Sequence, residues 1–128
     1  MGLLIAVVMM QSVPAPIIVD GVFNFTLNEN ATHYDLTWDG NIVLHPQSEG
    51  GTIEMHVKRW NAEIFEEVVS PSDIPGVGES SVSCGGKWKP AVGHNETLHW
   101  WMVIVRNKNN PNAYATEFGL FRPSEAPE

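Results

Sequence analysis

The ten residues at positions 97–106, TLHWWMVIVR, constrain the fold more than any other part of the chain. In an extended strand Leu98, Trp100, Met102 and Ile104 fall on one side and His99, Trp101, Val103 and Val105 on the other, because successive side chains alternate. Both sides are largely apolar, so both are expected to be covered, which puts the strand in the middle of a sheet. A helix is the competing reading. β-Branched residues and two adjacent Trp within so short a segment favour the strand.

Other segments repeat this two-residue period. Residues 21–27 (GVFNFTL) set Val22, Asn24 and Thr26 against Phe23, Phe25 and Leu27, a half-buried strand with Asn24 on the wet face. Residues 34–38 (YDLTW) turn Tyr34, Leu36 and Trp38 inward, and Asp39-Gly40 is expected to turn the chain into a further strand at 41–44. Residues 52–60 (TIEMHVKRW) point Ile53, Met55 and Val57 in and Glu54, His56 and Lys58 out. Residues 61–69 (NAEIFEEVV) fit a short helix capped by Asn61 or a charged edge strand. The Ser-, Pro- and Gly-rich stretch 70–93 reads as loop with one short strand near 80–84. Residues 114–121 (YATEFGLF) make the last strand, a hairpin partner for 97–106, and residues 123–128 read as a flexible tail.

Seven or so short strands without a convincing helix describe an all-β fold, a β-sandwich of the immunoglobulin-like kind. The runs YDLTWDG, TIEMHVKRW, LHWWMVIVRN and YATEFGLF, in that order, resemble fibronectin type III domains, where a Trp closes the second strand and aromatic and Val residues alternate in the next-to-last. The chain departs from that family in having no tyrosine corner. It is also similar to the N-terminal immunoglobulin-like domain of fungal serine/threonine-rich cell-surface proteins, through the LTW strand, the Trp before Pro in Lys87-Trp88-Lys89-Pro90, and a closing strand with Phe118. Both resemblances cover roughly residues 16–123 and imply a sandwich exposed outside the cell.

Independent features agree with that compartment. Residues 1–15 carry no charged side chain, and their apolar part, 3–10, is too short to span a bilayer but has the size of a signal-peptide core. The competing reading is a first buried strand. The expected organisation is therefore a signal peptide at 1–15, a domain at 16–122 and the tail. Three acceptor sequons, at Asn24, Asn30 and Asn95, predict N-glycosylation of a secreted protein. Cys84 is the only cysteine, so it is either a small buried hydrophobe or a free thiol able to link two chains. A formal charge of −8 with only 7 Lys and Arg, none clustered, argues against nucleic acid as a partner.

No catalytic residue, cofactor or metal is expected. His33, His45, His56, His94 and His99 have no metal-site spacing, and Cys84 has no base beside it. Tryptophan is the surplus: Trp38, Trp60, Trp88, Trp100 and Trp101 are five in 128 residues. Trp38 and one of Trp100 and Trp101 are assigned to the core. Trp60, closing a strand, and Trp88, between two Lys in a Gly- and Pro-rich stretch, are the candidates for an exposed ligand-binding surface. The function expected is a secreted binding or interaction module for a polysaccharide or a cell-surface protein. The alternatives are a structural cell-wall or cell-surface component, and a small enzyme or metal-binding protein.

Overall fold

The computed structural model describes residues 13–69 and 71–126. Among them run the strands β1 (Ile17–Leu27), β2 (Tyr34–Leu44), β3 (Gly51–Arg59), β4 (Glu66–Glu67), β5 (Ser72–Ile74), β6 (Gly78–Trp88), β7 (His99–Asn107) and β8 (Tyr114–Phe121). Every pairing is antiparallel. One sheet has the order β1-β2-β6; the other has β4-β3-β7-β8, with β5 sharing the free edge of β3 with β4. No helix among the described residues is long and apolar enough to cross a membrane.

The alternation read from the sequence explains how the sheets close on each other. Leu36, Trp38, Ile42 and Leu44 from β2 meet Ile53, Met55 and Val57 from β3 and Trp101, Val103 and Val105 from β7, all buried. Phe23 of the edge strand β1 stacks on Trp101 of β7 with ring centroids 4.6 Å apart and planes 9° apart, and lies 5.2 Å from Phe121 of β8, so the edge of one sheet is also joined to the other sheet. The fold is an all-β sandwich, with β7 central in its sheet.

Four local expectations need correction. Asp39-Gly40 is no turn: β2 runs unbroken through it, because the Trp38 indole lies across Gly21 and Gly40. A Cβ on Gly21 would stand 2.1 Å from the ring, and one on Gly40 would stand 2.3 Å from the Asp20 carbonyl oxygen. Glycine here serves a close approach between strands rather than a bend. The stretch 70–93 holds β5 and the eleven-residue β6 in place of one short strand. The C-terminal residues dock: Pro123–Glu125 forms a 3-10 turn with Pro123 buried, and Ser124 N–H donates to the Asn95 carbonyl at 2.8 Å. The segment 61–69 takes the edge-strand alternative, as the two residues of β4.

The fourth correction concerns Trp88, which ends β6 and is buried rather than exposed. β7 is covered by the other sheet on its inner side, and on its outer side Trp100 is flanked by the bulky side chains of Phe65 and Phe118, as its two apolar sides require. At the other end of the chain, the predicted signal peptide falls mostly on residues 1–12, which lie outside the described residues. The carbonyls of Val13 and Pro14 accept hydrogen bonds from Asn110 Nδ2 (3.0 Å) and Asn107 Nδ2 (2.8 Å).

Candidate binding surface

The outer side of the β4-β3-β7-β8 sheet is where exposed apolar side chains gather, and the strand registers fix its layout. Reading across β3, β7 and β8, the rows are Thr52-Arg106-Tyr114, Glu54-Ile104-Thr116, His56-Met102-Phe118 and Lys58-Trp100-Leu120. Glu67 of β4 extends the third row beside His56. Phe118 is 58% exposed, Tyr114 52% and Leu120 49%; Trp60, just past the end of β3, is 57% exposed.

Trp100 anchors the aromatic part. Its ring lies 5.3 Å from Phe118 at 57°, 6.0 Å from Phe65 at 13°, and 6.3 Å from Trp60 at 89°. Lys58 Nζ sits 5.0 Å above the Trp100 ring and 5.2 Å above Phe65, and it donates to the Ala62 carbonyl at 3.1 Å. The ammonium thus holds the 60–65 loop and its aromatics against the sheet by a charge–ring attraction. At the opposite end of the face Arg106 Nη2 donates to Glu54 Oε1 at 3.3 Å, with His56 Nε2 3.2 Å from the same oxygen. The guanidinium also lies 5.3 Å over Tyr114. The result is an apolar centre with self-compensated charges around it, the composition of a surface built to exclude water.

Of the two tryptophans expected at the surface, only Trp60 is there. Trp88 is buried, because β6 continues through Gly85 and Gly86 and ends on it in register with Tyr34. Its ring packs on His99 (5.0 Å) and Phe121 (5.7 Å), and its Nε1 donates to Glu66 Oε2 at 3.2 Å. The flanking Lys87 and Lys89 are exposed simply because they alternate with it. The sequence did not single out Phe118 as a surface residue, and it left open which of Trp100 and Trp101 leaves the core: Trp101 is the buried one and Trp100 lies on the outer side. The signal that could have found them is the concentration of Trp, Phe and Met on the same side of β7 and β8.

Cys84 faces inward opposite Trp38, and burial, reinforced by the charge of Asp39, pushes its thiol up to about 12. A thiol so hard to ionise offers little thiolate to attack a disulfide, in line with the reading of Cys84 as a small hydrophobe packed against the core.

Asn24, Asn30 and Asn95 are all exposed, on the outer side of the β1-β2-β6 sheet, in the β1–β2 loop and in the β6–β7 loop respectively. None lies on the aromatic face. The Asn30 sequon sits in a loop held by Asn28, whose Oδ1 accepts from Thr32 N–H (2.8 Å) and His33 N–H (3.2 Å), with Ala31 at φ 55°.

A second polar group lies inside, at the end of the sandwich nearest Trp88. Arg59 and His99 are cross-strand partners on the inner side. The Arg59 guanidinium lies 2.8 Å from His94 Nε2, and His94 Nδ1 lies 3.1 Å from Thr97 Oγ1. His99 Nδ1 donates to the Thr97 carbonyl at 2.7 Å, while its buried Nε2 has no partner among the described residues. Burial lowers the pKa of His99 against the pull of that carbonyl and of Glu66. His94 and His99 thus converge on Thr97 instead of diverging, because β7 begins only at His99.

No protein-family model matches the chain, and neither a curated protein nor a solved structure is similar to it.

Proposed function

We propose that the chain is a secreted, N-glycosylated, immunoglobulin-like module that recognises a protein through the outer face of the β4-β3-β7-β8 sheet. The strand arrangement supports the fold name. β1, β2 and β6 sit together as do the first, second and fifth strands of an immunoglobulin sandwich, and β3, β7 and β8 as do its third, sixth and seventh. All three sequons are exposed and away from the aromatic face, which supports glycosylation that leaves this face bare.

The observation that carries the function is the concentration of exposed Trp60, Phe118 and Leu120 around Trp100, with exposed Tyr114 at the far end of the same face. Ring geometry favours protein over polysaccharide. Sugar rings stack on flat aromatic platforms, whereas Trp60 and Phe118 stand at 89° and 57° to Trp100 and give the face alternating edges and hollows. Such relief suits interdigitating side chains, and Trp, Tyr, Phe, Met and Arg are the residues enriched in protein interfaces.

A tetramerised form applied to arrays of extracellular proteins and of polysaccharides tests the reading. A protein signal lost on Phe118→Glu and weakened on Trp60→Ala is expected. Retention on polysaccharide that survives Phe118→Glu would overturn it. The intact mass of material from the medium of a eukaryotic host, bearing glycan increments, checks secretion separately.

A further inference from the structure

We infer that the partner of this face is a second copy of the chain; the inference rests on the reading of the face as a recognition surface and names what it recognises. Charge is the first argument. The chain carries a formal charge of −8, yet the charged residues on this face are Glu54, Glu67 and Asp73 against Lys58 and Arg106, a net charge of −1. The outer side of the other sheet sets Asp20, Asp35, Asp39 and Glu79 against Lys87 alone, a net charge of −3. Two copies of an acidic chain therefore repel across most of their surface and approach best through the face that is apolar and nearest to neutral.

The second argument is that the face is complementary to itself. Consider a two-fold axis lying in the face and crossing the strands along the His56-Met102-Phe118 row. Lys58 and Glu54 are equally spaced from that row on β3, so each Lys58 lies over the partner's Glu54, and symmetry makes the contact twice once Lys58 leaves the Ala62 carbonyl and turns outward, Glu54 keeping Arg106 on its other side. On β7, Trp100 lies over the partner's Ile104, while Met102 and Phe118 pack about the axis on their own copies. The sheets cross at about 30°, as aligned sheets do.

Pairing along the β8 edge is the competing route to self-association. Glu117 opposes it, since it stands on the inner row of β8 opposite Val103 and holds a carboxylate at the rim where a second strand would add. The face spans four strands and roughly eight residues, about 500 Å² in projection. That is less than the roughly 800 Å² per partner of a standard interface, so the dimer is weak and reversible.

Sedimentation of the whole protein, over concentrations from about 1 to 100 μM, reads it directly. The expected result is a mass that doubles with concentration, and a Phe118→Glu variant that stays at the monomer mass while its far-UV spectrum and melting midpoint are unchanged. Lys58→Glu and Glu54→Lys are each expected to be monomeric alone and to restore the doubled mass when mixed, because each then supplies the other's missing charge. A protein monomeric at every concentration, a dimer that Phe118→Glu leaves intact, or a mixture that stays monomeric would overturn the inference. If the protein is monomeric but a Phe118-dependent protein signal appears on the array, the second copy falls and the recognition face stands; if neither is seen, both fall.

Discussion

Trp38 and its two glycines show where a side chain's own chemistry stops being readable from its neighbours in sequence. Asp39-Gly40 has the composition of a turn, and nothing local reveals that a ring two residues back lies over Gly40 and over Gly21, a strand away. Gly40→Ala would force the ring or the Asp20 carbonyl to move, so it is expected to cost about 1–3 kcal/mol in urea unfolding without changing the fold. Cys84 makes a second test at this scale. With its thiol pushed up to about 12, it is expected to stay unreactive towards a maleimide at mildly alkaline pH in the native state and to label fully once unfolded. Its inward placement opposite Trp38 favours the first of the two readings open in the sequence, a small hydrophobe of the core.

At the scale of elements, legibility followed apolar alternation. β3 was readable because Ile53, Met55 and Val57 repeat every second residue against Glu54, His56 and Lys58, β7 because aromatic and β-branched residues fill both of its sides, and β8 as its hairpin partner. β6 was not, because GESSVSCGGKW offers Ser and Gly where a strand pattern calls for bulk. It is held by main-chain pairing to β2 along its whole length, with Val82, Cys84 and Trp88 supplying its share of the core. The candidate surface suffered from the same gap. Losing β6 placed Trp88 in a loop, the two apolar sides of β7 left Trp100 and Trp101 undistinguished, and of the two tryptophans expected at the surface only Trp60 is there. The two tryptophans are therefore expected to separate cleanly on substitution. Trp88→Ala removes a ring packed on His99 and Phe121 and leaves Glu66 without its donor, at a cost of about 3–5 kcal/mol. Trp60→Ala, at an exposed position, should change stability by no more than about 0.5 kcal/mol. Thermal melts of the two variants beside the parent check both.

For the molecule as a whole, the inner end of the sandwich ties stability to pH. His99 belongs to the central strand, yet it is buried with Nδ1 committed to the Thr97 carbonyl and with the Arg59 guanidinium as its cross-strand partner. Protonating Nε2 would place a second cation beside Arg59 at a buried position, and burial accordingly lowers the pKa of His99 from its ordinary 6.5. A histidine whose folded value is depressed keeps its neutral form in the fold, whereas the unfolded chain takes up the proton near 6.5. The contribution to stability is thus fully present above that value and drains away as pH falls below it, until the folded value is reached. Glu66, which hydrogen-bonds Trp88 close by, moderates the effect by favouring the charged ring, and His94 opposes it. The urea midpoint is expected to be flat above about pH 7 and to fall on acidification towards pH 5, with the unfolding equilibrium coupled to uptake of up to one proton in that interval. His99→Phe fills the same space without a titrating group, so its midpoint should lose most of that slope even though the variant forfeits the Thr97 hydrogen bond and starts from a lower stability. A slope unchanged in His99→Phe would move the pH dependence to the other histidines, His33, His45, His56 and His94, each of which is reachable by solvent.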